Sequence, residues 1–147
     1  MEHLEIARQM IKREEGWRES PYYCSEGYPT VGYGFLIGDK GDPLPKFKLH
    51  PKVAEAWLKV NIQKIDEQLN LHYLNLENPV RKAVLVSMAY QLGFKGLMKF
   101  KKTWEHIYKQ EIREASNEML NSKWAMKDTP ARAARQSLWF RTGEYNA

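Results

Sequence analysis

The chain has 147 residues, 43% of them apolar, which is enough for one compact domain. Its formal net charge of +5 favours anionic partners, but the basic residues are dispersed among 18 acidic ones, so charge alone assigns no function. No apolar run reaches the ~18 residues of a membrane span, and the charged N-terminus has no apolar segment typical of a secretory leader, so we expect neither stable membrane insertion nor a signal peptide.

The first segment of the chain predicts a helix. Leu4, Ala7 and Ile11 recur at helical spacing, and one further turn leads to Glu15. Gly16 follows, as is common at helix C-termini. The apolar stripe therefore ends on a carboxyl group at the negative end of the helix dipole, where the charged form of a carboxyl group is disfavoured.

Residues 17–36 are rich in strand-forming aromatics and are broken by Ser25-Glu26-Gly27, Gly32 and Gly34, so they predict a small, irregular antiparallel hairpin or meander. A long helix is expected from Pro51, with the buried stripe Ala54, Leu58, Ile62, Ile65 and Leu69. Four further helices are expected: Asn78-Pro79 to Gly93 with Asn78 as N-cap, 101–109, 111–121, and one from Thr129-Pro130 with Thr129 as N-cap.

These elements predict a mainly helical α+β fold in a single domain, 1–147. Residues 1–50 would form a small lobe, with the N-terminal helix and the β-meander. Residues 51–147 would form a helical lobe that includes the long helix joining the two. A cleft between two such lobes is a natural ligand site.

Three residues are candidates for chemistry. Glu15 is either an ordinary solvated helix end or, because it continues an apolar stripe, a partly buried acid of the kind that protonates a glycosidic oxygen. Arg132, in the first turn of the last helix, is either exposed like Arg135 or reaches a carboxylate in the cleft such as Glu15. Cys24 lies among tyrosines in a predicted turn, which favours exposure to a site over burial in the core.

The cysteine and histidine content limits the kinds of covalent link and metal site that this chain can form. A single cysteine cannot form an intrachain disulfide, and the four histidines lack metal-ligand spacing. The sequence has no stripe of basic residues interleaved with aromatic residues, the pattern that is typical of nucleic-acid binding. We therefore expect no metal, no cofactor and no nucleic-acid partner.

Together these residues resemble the phage-type lysozymes, a family that includes phage endolysins. The family spacing is a glutamate, eight residues, an aspartate or cysteine, five residues and a threonine, which Glu15, Cys24 and Thr30 match. The resemblance covers nearly the whole chain. It extends to the motifs Glu26-Gly27-Tyr28, Thr30-Val31-Gly32-Tyr33-Gly34, Tyr90-Gln91-Leu92-Gly93, Ser122-Lys123-Trp124, Thr129-Pro130-Ala131-Arg132 and Phe140-Arg141-Thr142-Gly143.

The resemblance implies a phage-lysozyme-like fold and hydrolysis of the β-1,4 bond between N-acetylmuramic acid and N-acetylglucosamine in bacterial peptidoglycan. It makes Glu15 the general acid, with Thr30 holding the attacking water and Cys24 assisting that water from the other face, with inversion. The implied supporting residue is Arg132, near the catalytic glutamate. The implied glycan contacts are Leu36, Tyr90 and Thr103, with Gln91 on the cleft wall.

Three positions depart from the T-even members of the family. Cys24 replaces an aspartate, although other endolysins have cysteine there; Phe35 replaces a histidine; and Glu118 replaces an asparagine whose glycan contact is not expected here. A free thiol has a pKa of about 8.5, so only a few per cent is thiolate at neutral pH. Three roles therefore stay open for Cys24: a base for water, a nucleophile, and a passive polarisable group.

Two other functions are compatible with the sequence. A lytic transglycosylase uses one acid and no water, and a cationic protein can disrupt the wall or membrane without catalysis. For a lysozyme without a signal peptide, we expect a monomer that stays in the host cytoplasm until a holin-type route releases it to the periplasmic cell wall. A lysozyme that acts at a virion tail would show the same sequence features.

Overall fold

The computed structural model describes residues 2–146. In chain order the elements are α1 (Glu2–Glu15), β1 (Arg18–Tyr23), β2 (Pro29–Gly32), β3 (Phe35–Leu36), α2 (Pro51–Leu69), α3 (Pro79–Met98), α4 (Lys101–Tyr108), α5 (Ile112–Leu120), a π-helical turn (Trp124–Asp128) and α6 (Pro130–Thr142). The fold is mainly helical with one small sheet, which confirms the predicted α+β class.

The sheet is an antiparallel meander with the strand order β1-β2-β3. Tyr22 lies opposite Thr30 across the first pair, and Thr30 lies opposite Leu36 across the second. The register is irregular between Arg18 and Tyr22. The central strand β2 is fully buried, so Thr30 is held in a fixed position beside the turn that precedes it.

The buried faces of the helices form one core with the sheet. Val31 and Phe35 join this core from the strands. Phe35 stacks on Trp57 of α2, with ring centroids 4.4 Å apart. α1, which the sequence placed in the small lobe, packs against α3 and α2. The carboxyl end of α1 is therefore fixed against the helical part of the molecule.

The helix starts follow the predicted caps in one case and depart from them in another. The Asn78 side chain accepts a hydrogen bond from the Arg81 N–H at 3.0 Å, as an N-cap does. Thr129 holds the N-cap position of α6 but does not cap it, because its hydroxyl accepts a hydrogen bond from Gln91 instead. The side chain of His50, which the sequence did not suggest, caps α2 through the Lys52 N–H.

The predicted end of a helix at Gly93 is confirmed, and a second helical segment follows it directly. Gly93 has a φ of +78°, which interrupts the helix there, but the chain returns to helical geometry and continues to Met98. Glycine makes this possible because the left-handed region carries no Cβ penalty for it. Within residues 2–146, no helix is both long enough and apolar enough to cross a membrane.

Candidate active site

Glu15 is the last residue of α1, and its side chain is 21% exposed. Arg132, in the first turn of α6, is buried and donates from Nη1 to Glu15 Oε2 at 2.8 Å. This confirms the predicted contact between Arg132 and a carboxylate at the site. The two residues are 117 positions apart in the chain, so the pair joins the first helix to the last.

A second ion pair lies beside the first. Arg135 donates from Nη2 to both oxygens of Glu14, at 2.5 Å and 3.0 Å, and only 5% of the Glu14 side chain is exposed. Arg132 Nε lies 4.0 Å from Glu14 Oε2. Two arginines one turn apart on α6 thus face two consecutive carboxylates at the end of α1. The sequence interpretation missed Glu14, although the spacing of Arg132 and Arg135 was a signal for it.

Two buried polar side chains, Ser87 and Gln136, lie next to the Arg132 guanidinium. Gln136, one turn further along α6, donates from Nε2 to Ser87 Oγ at 2.9 Å, and Arg132 Nη2 lies 3.5 Å from the same oxygen. Ser87 and Gln136 are completely buried. Buried polar groups held in this way restrict Arg132 to one orientation, so the carboxyl group that it contacts is restricted too.

The β2–β3 turn closes on Glu15 from the other side. Gly34 has a φ of +75°, and a Cβ atom built on it would collide with Glu15 Oε1. Glycine is required here for both its backbone conformation and its lack of a side chain. The Glu15 carboxyl group therefore has Arg132 on one oxygen and the turn backbone beside the other.

Cys24 and Thr30 lie at the two ends of one tight turn. The Cys24 N–H donates to the Tyr28 carbonyl at 3.0 Å, and the Gly27 N–H donates to the Cys24 carbonyl at 2.9 Å. The Thr30 hydroxyl donates to the same Tyr28 carbonyl at 2.8 Å. The Cys24 side chain is partly exposed, whereas Thr30 is buried. The turn therefore brings the Cys24 backbone amide and the Thr30 hydroxyl to one carbonyl group.

The surroundings of Cys24 favour the thiolate. Burial alone would raise the pKa of the Cys24 thiol, but hydrogen bonds from the backbone of Tyr28, Glu26 and Gly27 and from the Thr30 side chain outweigh it, and the net pKa is lowered. Thr30 has one hydroxyl proton, so it donates either to the Tyr28 carbonyl or to the thiolate. Thr30 is thus linked to the charge state of Cys24.

Comparison with known proteins identifies the family of this chain. Residues 12–138 match the phage lysozyme family profile. The chain belongs to the phage lysozyme family. It is similar to the probable T4-type lysozyme 1 of Dictyostelium discoideum, with 28% identity across 95% of this chain and 96% of that protein. A second Dictyostelium discoideum protein, probable T4-type lysozyme 2, is 29% identical across 92% of this chain and 94% of its own length.

A third similar protein is much longer. The pre-baseplate central spike protein Gp5 of Enterobacteria phage T4 is 24% identical across 92% of this chain, which corresponds to 27% of Gp5. Membership of the phage lysozyme family makes this protein a glycoside hydrolase of the lysozyme type, and peptidoglycan its substrate.

Two of the four predicted glycan contacts lie together in the lysozyme. Leu36 is 61% exposed and shares a groove with Tyr90, whose hydroxyl donates to the Tyr33 carbonyl at 2.5 Å. Burial, together with the nearby Glu15 carboxylate, raises the pKa of Tyr90 well above its usual range. Tyr90 therefore stays a neutral hydrogen-bond donor at all working pH values.

The other two predicted contacts lie elsewhere. The Gln91 amide accepts from Trp124 Nε1 at 2.9 Å and donates to Thr129 Oγ1 at 3.1 Å, so it joins α3 to the start of α6. Thr103 is 1% exposed and lies at a separate hollow of about 620 Å³ between α4 and the π-helical turn. Within residues 2–146, no group of three or more His, Cys, Asp or Glu side chains is placed to hold a metal ion.

Proposed function

We propose that this lysozyme hydrolyses the β-1,4 bond between N-acetylmuramic acid and N-acetylglucosamine, with Glu15 as the general acid. The observation that carries the proposal is the position of Glu15: partly buried, at a helix C-terminus, with one oxygen held by Arg132. A partly buried carboxyl group at the edge of the core is placed to transfer a proton to a glycosidic oxygen. Arg132 stabilises the carboxylate that remains once the proton has gone to the leaving oxygen.

Replacing Glu15 tests the proposal directly. Glu15→Gln keeps the size of the side chain but has no acidic proton, so turnover of purified peptidoglycan should fall by about 10²–10⁴-fold. Glu19→Gln is the matched control, because Glu19 is a neighbouring carboxylate with a 56% exposed side chain. Near-wild-type turnover by a folded Glu15→Gln protein would refute the assignment of the general acid.

We further propose that Thr30 and Cys24 position and activate the attacking water on the face of the sugar opposite Glu15. Their shared turn and the lowered pKa of the Cys24 thiol support this role, because a thiolate can accept a proton from water. Direct attack of water inverts the anomeric centre, so NMR of the fresh product should show the α-anomer. A β-anomer would instead indicate double displacement through a covalent intermediate.

Two alternatives have distinct products. A lytic transglycosylase releases an anhydro-sugar that is one water lighter than the hydrolysis product, which mass spectrometry of the digest distinguishes. If the protein acted as a cationic disruptor without catalysis, the Glu15→Gln variant would lyse permeabilised cells as well as the wild type does. We expect hydrated product, and no lysis by the variant.

We also propose that the protein is a monomeric endolysin that has no nucleic-acid partner and waits in the host cytoplasm for a holin-type release route. Expression in bacteria should leave cells intact until their inner membrane is permeabilised, and lysis should then follow at once. Lysis on expression alone would refute this order of events. Light scattering during size-exclusion chromatography should give the mass of one chain.

A further inference from the structure

A groove of about 400 Å³ lies between the β2–β3 turn and α2, next to the catalytic carboxyl group. Gly34, which packs against Glu15, also lines this groove, together with Leu36 and Tyr90. The groove therefore borders the catalytic site at Gly34. Membership of the family does not identify a ligand for the wall of the groove that α2 forms.

The α2 side of the groove is one face of a helix. Trp57, Asn61, Lys64 and Gln68 line it, at the i, i+4, i+7, i+11 spacing of a single helical face. The buried stripe of α2 lies beside this face and packs into the core. Polar side chains of α2, together with Trp57 at the edge of the core, thus line a groove beside Glu15.

Trp57 and Tyr90 give the groove a fixed aromatic surface. One face of the Trp57 ring stacks on buried Phe35, nearly parallel to it at 17°, so the ring is held rigidly and its remaining surface opens to the groove. The Tyr90 hydroxyl donates to the Tyr33 carbonyl. With its hydroxyl occupied in this way, Tyr90 offers its ring to a ligand. Rigid aromatic surfaces of this kind suit the apolar faces of a sugar ring.

Lys64 is the one charged residue among those that line the groove. Its ammonium group forms no ion pair with any residue between 2 and 146. The groove therefore combines apolar surface, an amide and a single uncompensated cation. The complementary ligand is a sugar that carries one negative group.

We propose that Lys64 pairs with a carboxylate carried by the muramic-acid residue of a glycan strand lying in this groove. The inference rests on the proposed muramidase function. The carboxylate has two possible sources: the lactyl group itself where the stem peptide has been removed, and the stem peptide where it is present. In both cases Lys64 determines specificity, because it distinguishes an acidic glycan from a neutral one.

The test compares Lys64→Met with Lys59→Met on two acidic substrates, intact peptidoglycan and amidase-treated glycan without stem peptides, and uses neutral N-acetylglucosamine oligomers as competitive inhibitors. Lys59 is an exposed lysine of the same helix that lines the α1 side instead, so it is a matched control. We expect Lys64→Met to raise KM on acidic substrates by about two- to fivefold, the range of a solvent-exposed ion pair, with kcat unchanged. Lys64→Arg should restore the wild-type KM, and high salt should abolish the difference.

Each outcome has a definite meaning. A raised KM that persists on amidase-treated glycan assigns the lactyl carboxylate, and one confined to intact peptidoglycan assigns the stem peptide. An unchanged KM on both acidic substrates overturns the proposal, as does an equal loss of affinity for the neutral oligomers measured as inhibitors. If the muramidase function itself is wrong, the wild type releases no new reducing ends, a result that differs from any effect of Lys64.

Discussion

The β2–β3 turn leaves no room for a side chain beside Glu15. Gly34→Ala combines backbone strain at positive φ, about 1–2 kcal/mol, with a collision against the Glu15 carboxyl group. Gly41→Ala carries comparable strain at a φ of +83° but its Cβ would meet nothing within 4 Å. Both variants should lose stability in urea, Gly34→Ala by at least as much as Gly41→Ala, whereas Gly34→Ala alone should lose activity, by about 10²-fold for a displaced catalytic group.

Equal activities of the two alanine variants would show that the Glu15 carboxyl group can move away from the turn without loss. The comparison separates the two roles of the glycine, since backbone strain is shared and the contact with Glu15 is not. Peptidoglycan turnover and urea unfolding of the same preparations provide both measurements.

The second prediction at this scale concerns the Cys24 thiol. Hydrogen bonds lower its pKa, so the folded state gains stability from the thiolate at pH values above the unfolded thiol's pKa of about 8.5, and loses it as pH falls through the lower folded pKa. The rate of Cys24 alkylation should therefore rise with pH to a midpoint below that of a free thiol. Thr30→Val removes one of these hydrogen bonds and should move the midpoint upward.

The alkylation profile decides whether Thr30 interacts with the thiolate. The same midpoint in Thr30→Val and the wild type would contradict the interaction. Cys24→Asp supplies a carboxylate in its place, so it should keep substantial activity and extend that activity to lower pH. Loss of activity in a folded Cys24→Asp protein would argue against a base at this position.

At the scale of elements, the end of α1 and the start of α6 are held together by two ion pairs. Glu14 is nearly completely buried, so removing Arg135 leaves its carboxylate with the more distant Arg132, 4.0 Å away, as a cationic partner. Because Arg132 remains and Arg135 is partly exposed, Arg135→Met should cost about 1–3 kcal/mol of unfolding free energy, and the double variant Glu14→Gln/Arg135→Met should recover part of it. Urea denaturation of the single and double variants measures both quantities.

The control for this prediction is the exposed pair of Lys48 and Glu19. Its atoms lie 3.9 Å apart with side chains 77% and 56% exposed, so Lys48→Met should change stability by no more than about 0.5 kcal/mol. If Arg135→Met has an equally small effect, the Glu14 carboxylate is being solvated or protonated without cost and the α1–α6 pairing is not a stabilising contact.

At the scale of the whole molecule, the Tyr90 hydroxyl joins α3 to the sheet through the Tyr33 carbonyl. Tyr90→Phe removes this hydrogen bond and leaves the aromatic ring in place. We expect a loss of about 1 kcal/mol in stability and faster amide exchange in residues 29–36, because the sheet loses a connection to the helical part of the molecule. Unchanged exchange in those residues would show that the core contacts of Val31 and Phe35 alone hold the sheet.

The amino-acid sequence by itself determined the family, the fold class and the positions of Glu15, Cys24 and Thr30. These depend on local information: helical periodicity ends on Glu15, turn residues surround Cys24, and the spacing between them is fixed along the chain. The starts of α2, α3 and α6 were predictable for the same reason, since each begins at a proline.

Only the tertiary structure decided how these residues are supported. The burial of Glu14 against Arg135, the contact of Gln136 with Ser87 and the approach of Gly34 to Glu15 join parts of the chain that are far apart, and no local pattern encodes such distances. Thr129 shows the same effect, because a contact with Gln91 replaced its predicted cap. Periodicity assigns a face to each residue, but packing selects its partner, and so the geometry of the site is a property of the folded chain.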